Sequence, residues 1–338
     1  MKLRIFFGFT INLAGMLCFT WLLFNAGLSV YLLKMGQGQL SIIWNTRKIS
    51  EMLAKDSLGA EQKEKLLLVD QIKKYSVDSL GYKPTRNFTT FYNQEGQPLL
   101  WVVTGCKPFE FKAHYWNFPI IGSVSYKGFF NIALAQQEYL RLLRMGYDAD
   151  MAPVSAWSTL GWLPDPVLSG MLKRNKAKLA NLLFHELFHA TYYAPGTVDV
   201  NENLANFIAY KATLKFLQRD SVELSHFRYG VQDDSLYNKF ILAQYDSLQK
   251  FYENSRGMDS LKRLGAKQKK LVAIYREAAK LPMHNSRRYQ MANWSILQAR
   301  NAFFIDARRY DGLYDSLDNV LKIKYKNDLR AMVEGLKK

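Results

Sequence analysis

The sequence predicts a mainly helical α+β fold, with a small antiparallel sheet preceding a helix over 181–190 and an N-terminal transmembrane helix ahead of both. Three observations carry that expectation. The chain runs without a charged side chain from Ile5 to Leu33. Strand-like segments are confined to the stretch between residues 88 and 159, and from residue 168 onward apolar side chains recur at helical spacing. Composition fits a folded chain: of 338 residues, 49% are hydrophobic and 22% charged, which excludes a disordered tail. Two Cys build no disulfide framework. The 46 Lys+Arg against 29 Asp+Glu, a net charge of +17, raises nucleic acid or a membrane surface as partners.

Each element follows in order. The run from Ile5 to Leu33 exceeds the roughly 20 residues a helix needs to cross a bilayer. Lys2 and Arg4 before it favour a cytoplasmic N-terminus, although Lys34, Arg47 and Lys48 weaken the asymmetry. The expected arrangement is a single-pass membrane protein anchored by residues 1–34, with the remaining chain on the periplasmic side. A cleavable signal peptide ending at Asn25-Ala26-Gly27 is the alternative, but the apolar run continues past that point. Leu17 before Cys18 argues against a lipoprotein signal.

Residues 35–80 form a helical segment, with Ile42, Ile49, Leu53, Leu66 and Ile72 at helical spacing and a break at Asp56-Ser57-Leu58-Gly59. The remaining unit is 81–338. Asn93-Gln94-Glu95-Gly96 is a turn signal before the apolar strand Leu99–Val103. A helix over 131–145 follows, then a strand over Met151–Thr159 and a turn at Pro164-Asp165-Pro166. Arg256-Gly257, Pro282 and Gly312 mark breaks in the helical C-terminal part.

One constellation carries chemistry. His185-Glu186-Leu187-Phe188-His189 lies inside a helical pattern, and two of the chain's five His fall in it. Histidines one turn apart project from one helix face and can share a metal ion, with Glu186 placed to take a proton from an activated water. The same residues would also serve in a buried helix whose imidazoles are satisfied by neighbours. A third ligand must return to the same point, and a second helix starting at Asn201-Glu202-Asn203 supplies one. With Pro195-Gly196 turning the chain, a helix hairpin sets Glu202 opposite the His pair. The result is a His₂Glu set with an open position, the catalytic pattern for one Zn²⁺ ion. Asp199 is a rival ligand that falls before the helix starts. Asn201 is either an orienting partner of a ligand or a helix cap.

The sequence resembles a known family at these positions. His185–His189 followed by Asn201-Glu202-Asn203-Leu204-Ala205 is similar to the HELAH and NESFA segments of the bacterial putative aminopeptidase family. Tyr126-Lys127-Gly128-Phe129-Phe130 resembles its YKGYF segment. Ala156–Trp162 with Asp165-Pro166-Val167-Leu168 resembles its AYSTLGWFDDPVL stretch. The resemblance spans residues 40–320. It implies a zincin-like metallopeptidase fold of the thermolysin-like gluzincin type, zinc on His185, His189 and Glu202, and Glu186 as acid/base. An edge strand binding peptide through Ala156, Trp157 and Ser158 would follow from the same resemblance. Ala190 and Ser123 depart from the family's common Gln and Cys, and Thr197-Val198-Asp199-Val200 departs from its DTAF.

The reading is a membrane-anchored zinc peptidase acting on a peptide substrate, with aminopeptidase action expected. A zinc endopeptidase and a catalytically silent envelope interaction protein are the alternatives. Candidates for stabilising a tetrahedral oxyanion are Tyr192, Tyr193, His284 and Tyr289. The basic residues, including Lys262, Arg263, Lys267, Lys269 and Lys270, sit on helices as solvated faces. No nucleic-acid motif accompanies them, so anionic lipid is the better-fitting partner, and Arg287-Arg288 could face a peptide's carboxylate.

Overall fold

Residues 26–54, 58–118, 122–154, 164–194, 197–308 and 313–337 are described in the computed structural model. Helix α1 (Ala26–Asn45) leads through strand β1 (Arg47–Lys48) and helix α2 (Ile49–Ala54) to α3 (Ala60–Asp78). Strands β2 (Thr90–Tyr92) and β3 (Trp101–Cys106) flank the turn that Asn93-Gln94-Glu95-Gly96 announces. Glu95 and Gly96 there take φ of +53° and +78°, a conformation that glycine accepts without steric cost. Strands β4 (Trp116–Phe118), β5 (Gly122–Val124) and β6 (Tyr126–Phe129) precede α4 (Ile132–Arg144), which Asn131 caps by accepting from the Leu134 N–H. Strands β7 (Asp148–Pro153) and β8 (Val167–Leu168) end the mixed region.

The remainder is helical, as its periodicity requires. Helices α5 (Lys176–His189), α6 (Val198–Phe216), α7 (Ser221–Asn254) and α8 (Ser260–Ala278) are followed by α9 (Gln290–Gln298), α10 (Asn301–Arg308), α11 (Tyr314–Ile323) and α12 (Leu329–Leu336). Single 3₁₀ turns at Met171–Lys173 and Ser286–Tyr289 join them.

The expected small antiparallel sheet is divided into pieces. Strands β6-β3-β7 form an antiparallel sheet with Trp101 between Phe129 and Pro153. Helix α4 covers it, packing Ala135 and Leu142 among Val103, Phe129 and Ala149. A β4–β5 hairpin stands beside it. A third sheet, β1-β2-β8, contains a parallel pair, with Phe91 opposite Val167. Parallel pairing needs a long crossover, and the whole mixed region between β2 and β8 supplies it. That crossover returns the chain to the core immediately before α5. There Leu66, Val69 and Ile72 of α3 meet Leu183, Phe184, Leu187 and Phe188 of α5 and Phe207, Ile208 and Ala212 of α6. A second core joins α7, α8, α9 and α10 through Tyr245, Leu248, Leu271, Ile296 and Phe304.

Two expectations are corrected. No helix among the described residues is long and apolar enough to cross a membrane, so the N-terminal transmembrane helix is not supported. The part of that segment before Ala26 lies outside the described residues. The described part, α1, carries Lys34 and then Gly36-Gln37-Gly38-Gln39, which end its apolar stretch. It packs on protein. The Tyr31 ring lies 5.6 Å from Phe118 and 5.4 Å from Phe129, with the Lys127 ammonium 4.6 Å over it, and burial pushes its phenol up to about 12. Ile42 is buried, and Gly38 lets the helix approach Phe130 so closely that a Cβ would meet the ring. The single-pass membrane localisation built on that helix is corrected with it.

The second correction concerns Lys267, read from sequence as part of a solvated basic face. It is 1% exposed, and its ammonium donates to Asp148 Oδ2 and to the Pro108 carbonyl. A buried ammonium is tolerated only when paired in this way.

Candidate metal centre

Helix α5 is capped by Asn175, whose side chain accepts from the Lys178 N–H at 2.9 Å. Ala177, Ala180, Leu183, Phe184, Leu187 and Phe188 anchor it in the core, leaving Lys178, Leu182, His185 and His189 along the opposite row. Its C-terminus is held by Thr191, which is buried, donates to the Leu187 carbonyl at 3.0 Å and accepts from the Lys83 N–H at 3.2 Å. Helix α6 runs back antiparallel. Asn181 near the start of α5 donates to Thr213 near the end of α6, so His189 stands opposite Glu202.

The join between these helices is fixed by Asn201. Its Oδ1 accepts from the Ala194 N–H at 2.9 Å and its Nδ2 donates to the Ala194 carbonyl at 2.7 Å. Asn201 is therefore neither the helix cap, which is Thr197, nor a direct partner of the histidines. It clamps the loop one residue before Glu202. Pro195 and Gly196 lie outside the described residues. Helix α6 begins at Val198, so Asp199 falls in its first turn instead of ahead of it.

Three side chains converge. His185 Nε2 and His189 Nε2 are 3.0 Å apart, and the Glu202 carboxylate lies 3.4 Å from the first and 3.3 Å from the second. Among the described residues, this group could hold a metal ion. Tetrahedral ligands at zinc-like bond lengths of about 2.0–2.1 Å would be about 3.3 Å apart, which the three separations bracket. Two nitrogens and one carboxylate oxygen directed at one point also form a suitable donor set.

Electrostatics follow from that crowding. Burial opposes the ionisation of Glu202, but hydrogen bonds from His185 and His189 bring its carboxyl down to about 2. Burial works against charging His185. Hydrogen bonds to Glu202 and Asn206, with the charges of Glu186 and Glu202, nevertheless raise its pKa above the ordinary value. Glu186 is raised as well, in contrast to Glu202. Burial pushes its carboxyl up, the two histidines pull it down, and Glu202 and Asp165 add to the rise.

Asp165 and Asn206 are the contributors that sequence reasoning missed. Asp165 is buried, and its backbone N–H donates to Asn87 Oδ1 while Asn87 Nδ2 donates to its carboxylate. An acid between two prolines, Pro164 and Pro166, was legible as a turn but not as a neighbour of Glu186. Asn206 lies one turn beyond Glu202, and the antiparallel register sets it opposite His185. That spacing is the signal that could have found it.

The other candidates are dispersed. Tyr193 is exposed, with its ring centroid 6.3 Å from that of His189. Tyr192 packs on Phe188. His284 is bonded to Asp233 and stacked on Tyr229, and the Tyr289 hydroxyl donates to Asp234, so both are engaged by α7. Ala156, Trp157 and Ser158 lie outside the described residues.

A helix hairpin with a convergent His–His–Glu group that could hold a metal ion, beside the half-buried carboxyl of Glu186, defines the class of site. The family model described as Putative aminopeptidase matches residues 30–338, and the chain belongs to that family. No curated protein and no solved structure matches it. The family supports a peptidase-like function.

Proposed function

We propose that the chain is a zinc-dependent peptidase of the gluzincin type, acting as an aminopeptidase on peptide substrates. The observation carrying this reading is the convergence of His185, His189 and Glu202 beside the half-buried carboxyl of Glu186. His185, His189 and Glu202 would hold the ion, leaving a fourth position open. When bound, zinc supplies Lewis acidity that polarises a carbonyl and lowers the pKa of a water toward neutrality.

The chain's own residues supply the rest. Glu186 takes a proton from the water as its oxygen adds to the peptide carbonyl, then delivers that proton to the amide nitrogen as the C–N bond breaks. Its half-buried setting favours this exchange, because desolvation raises the pKa of its carboxyl and so favours holding the proton between the two steps. Tyr193, whose ring centroid lies 6.3 Å from that of His189, would be the candidate donor to the developing oxyanion.

Metal analysis of the purified full chain and peptide hydrolysis by wild type and Glu186→Gln test the reading. One zinc per chain is expected, with kcat falling about 10²–10⁴-fold in the variant while zinc is retained. A zinc-free protein, or equal hydrolysis by both forms, overturns it. Peptides with free and acetylated N-termini test the exopeptidase assignment, and equal cleavage of both refutes it.

A further inference from the structure

The loop that follows β3 forms one wall of a cavity away from the metal group. Residues 107–112, the C-terminal end of α7 and the start of α8 enclose about 760 Å³, and no lining residue comes from α5 or α6. That volume falls within the roughly 300–1,000 Å³ of small-molecule sites. The loop is fixed from behind. Asn301 of α10 donates to the Lys107 carbonyl at 2.8 Å, the buried Lys267 ammonium donates to the Pro108 carbonyl, and the Cys106 thiol donates to the Glu110 carbonyl at 3.3 Å. The Lys107 N–H donates to the Lys112 carbonyl at 3.0 Å, which closes the loop on itself. A wall already held in this way needs little ordering when a ligand arrives.

Aromatic rings and cations share the cavity. Phe111 stacks on Tyr245 with centroids 3.8 Å apart, and Phe109 meets Tyr252 edge-on at 5.9 Å. Both tyrosines are buried, whereas both phenylalanines are half-buried and keep ring surface toward the cavity they line. Lys107, Lys112, Arg256 and Arg263 outnumber the acids Glu110 and Glu253 there. Arg263 is committed to the wall: its guanidinium lies 4.2 Å over Phe109 and donates to the Ser255 hydroxyl at 3.0 Å and the Tyr252 carbonyl at 2.7 Å. Lys107 pairs with Glu110 at 3.0 Å. The exposed side chains of Lys112 and Arg256 make no hydrogen bond or ion pair among the described residues. Both stand near one carboxylate, since their charges add to the hydrogen bond from Lys107 in lowering the pKa of Glu110.

We infer that this cavity binds a small organic anion bearing an aromatic ring, with the ring against Phe109 and Phe111 and its carboxylate or phosphate between Lys112 and Arg256. Flat rings meeting face-to-face and edge-on favour a further ring over an aliphatic body of similar size. The two unpaired cations suit an anion because each contact is charge-assisted. An extended peptide fits less well. The carbonyls of Lys107, Pro108, Glu110 and Lys112 already accept hydrogen bonds, which leaves the loop little backbone with which to pair another strand.

Calorimetric titration of the full chain with phenylpropionate, its neutral amide, cyclohexylpropionate and phenyl phosphate tests the site. Phenylpropionate is expected to bind about 10-fold or more tightly than the amide. It should also bind a few-fold more tightly than the cyclohexyl analogue. Saturable binding of either aromatic anion supports the site, and the tighter of the two identifies the anionic group. Lys112→Gln and Arg256→Gln should each move the acid-to-amide affinity ratio toward one, with thermal midpoints unchanged because both residues are exposed. His185→Ala should leave phenylpropionate affinity as it is. No saturable binding, equal affinity for acid and amide, no preference for the aromatic body, or an unaltered ratio in both charge variants overturns the inference. Binding lost in His185→Ala but kept in Lys112→Gln and Arg256→Gln assigns the anion to the metal group and overturns it as well.

Discussion

Asn206 and Asn201 hold the metal group without belonging to it, and each has a separable consequence. Asn206 stands opposite His185 and contributes to raising its pKa, and residues that orient a ligating imidazole typically contribute about 10–100-fold in metal affinity. Asn206→Ala should weaken zinc binding in that range, read by competition with a chelator, without unfolding the chain, because Asn206 is exposed. Asn201→Ala differs. It strips both partners from the Ala194 backbone and should cost about 1–3 kcal/mol in urea denaturation, together with weaker zinc binding. The ligand pair itself was legible because histidines one turn apart share a face by local geometry alone. The partners were not, since Asn201 acts on Ala194 and Asn206 on His185 only once the hairpin has closed.

At the scale of elements, the docking of α1 and α4 on the β6-β3-β7 sheet carries two tests. Gly38 meets Phe130 where a Cβ would overlap the ring, so Gly38→Ala should destabilise by about 1–3 kcal/mol, measured as a lowered thermal midpoint. Helix α4 is tied to the sheet region by Glu138, which accepts from Trp116 of β4 and Arg141 and lies 3.9 Å from Lys127 of β6. Burial opposes its ionisation, yet these partners lower its pKa below the ordinary 4.5. Its stabilising contribution is complete above 4.5 and is lost as pH falls through the lower folded-state value. Wild type should therefore lose stability more steeply than Glu138→Gln on acidification below pH 4.5, and parallel curves would refute the assignment. Periodicity located α4 and the turn before β3. The parallel β2–β8 pair escaped it, because two short strands far apart in sequence carry no mark of which partner each will meet.

Across the whole molecule, the Lys267–Asp148 pair joins the sheet to the helical half. Asp148 begins β7 and also accepts from the Asn301 N–H at the start of α10, while Lys267 projects from α8 to the carbonyl of Pro108. Lys267→Met leaves a buried carboxylate without its main partner and should cost about 3–5 kcal/mol. A double substitution with Asp148→Leu should cost less than the sum of the two single changes, as a double-mutant cycle would measure. A basic residue among other basic residues reads as solvated surface, and only the meeting of α8 with β7 reveals the acid that buries this one.

The sequence by itself determined the helical character of the C-terminal half, the shared face of His185 and His189, the carboxylate of Glu186 beside them and the family. These properties follow from periodicity and spacing within one or two turns, where backbone geometry leaves little choice. Only the tertiary structure decided that Glu202 closes on the histidines, that Asp165 stands near Glu186, and that α1 packs on Phe118, Phe129 and Phe130. Hydropathy says that an apolar or charged side chain needs a partner, not which one. Identifying the partner requires chain segments distant in sequence to be brought together.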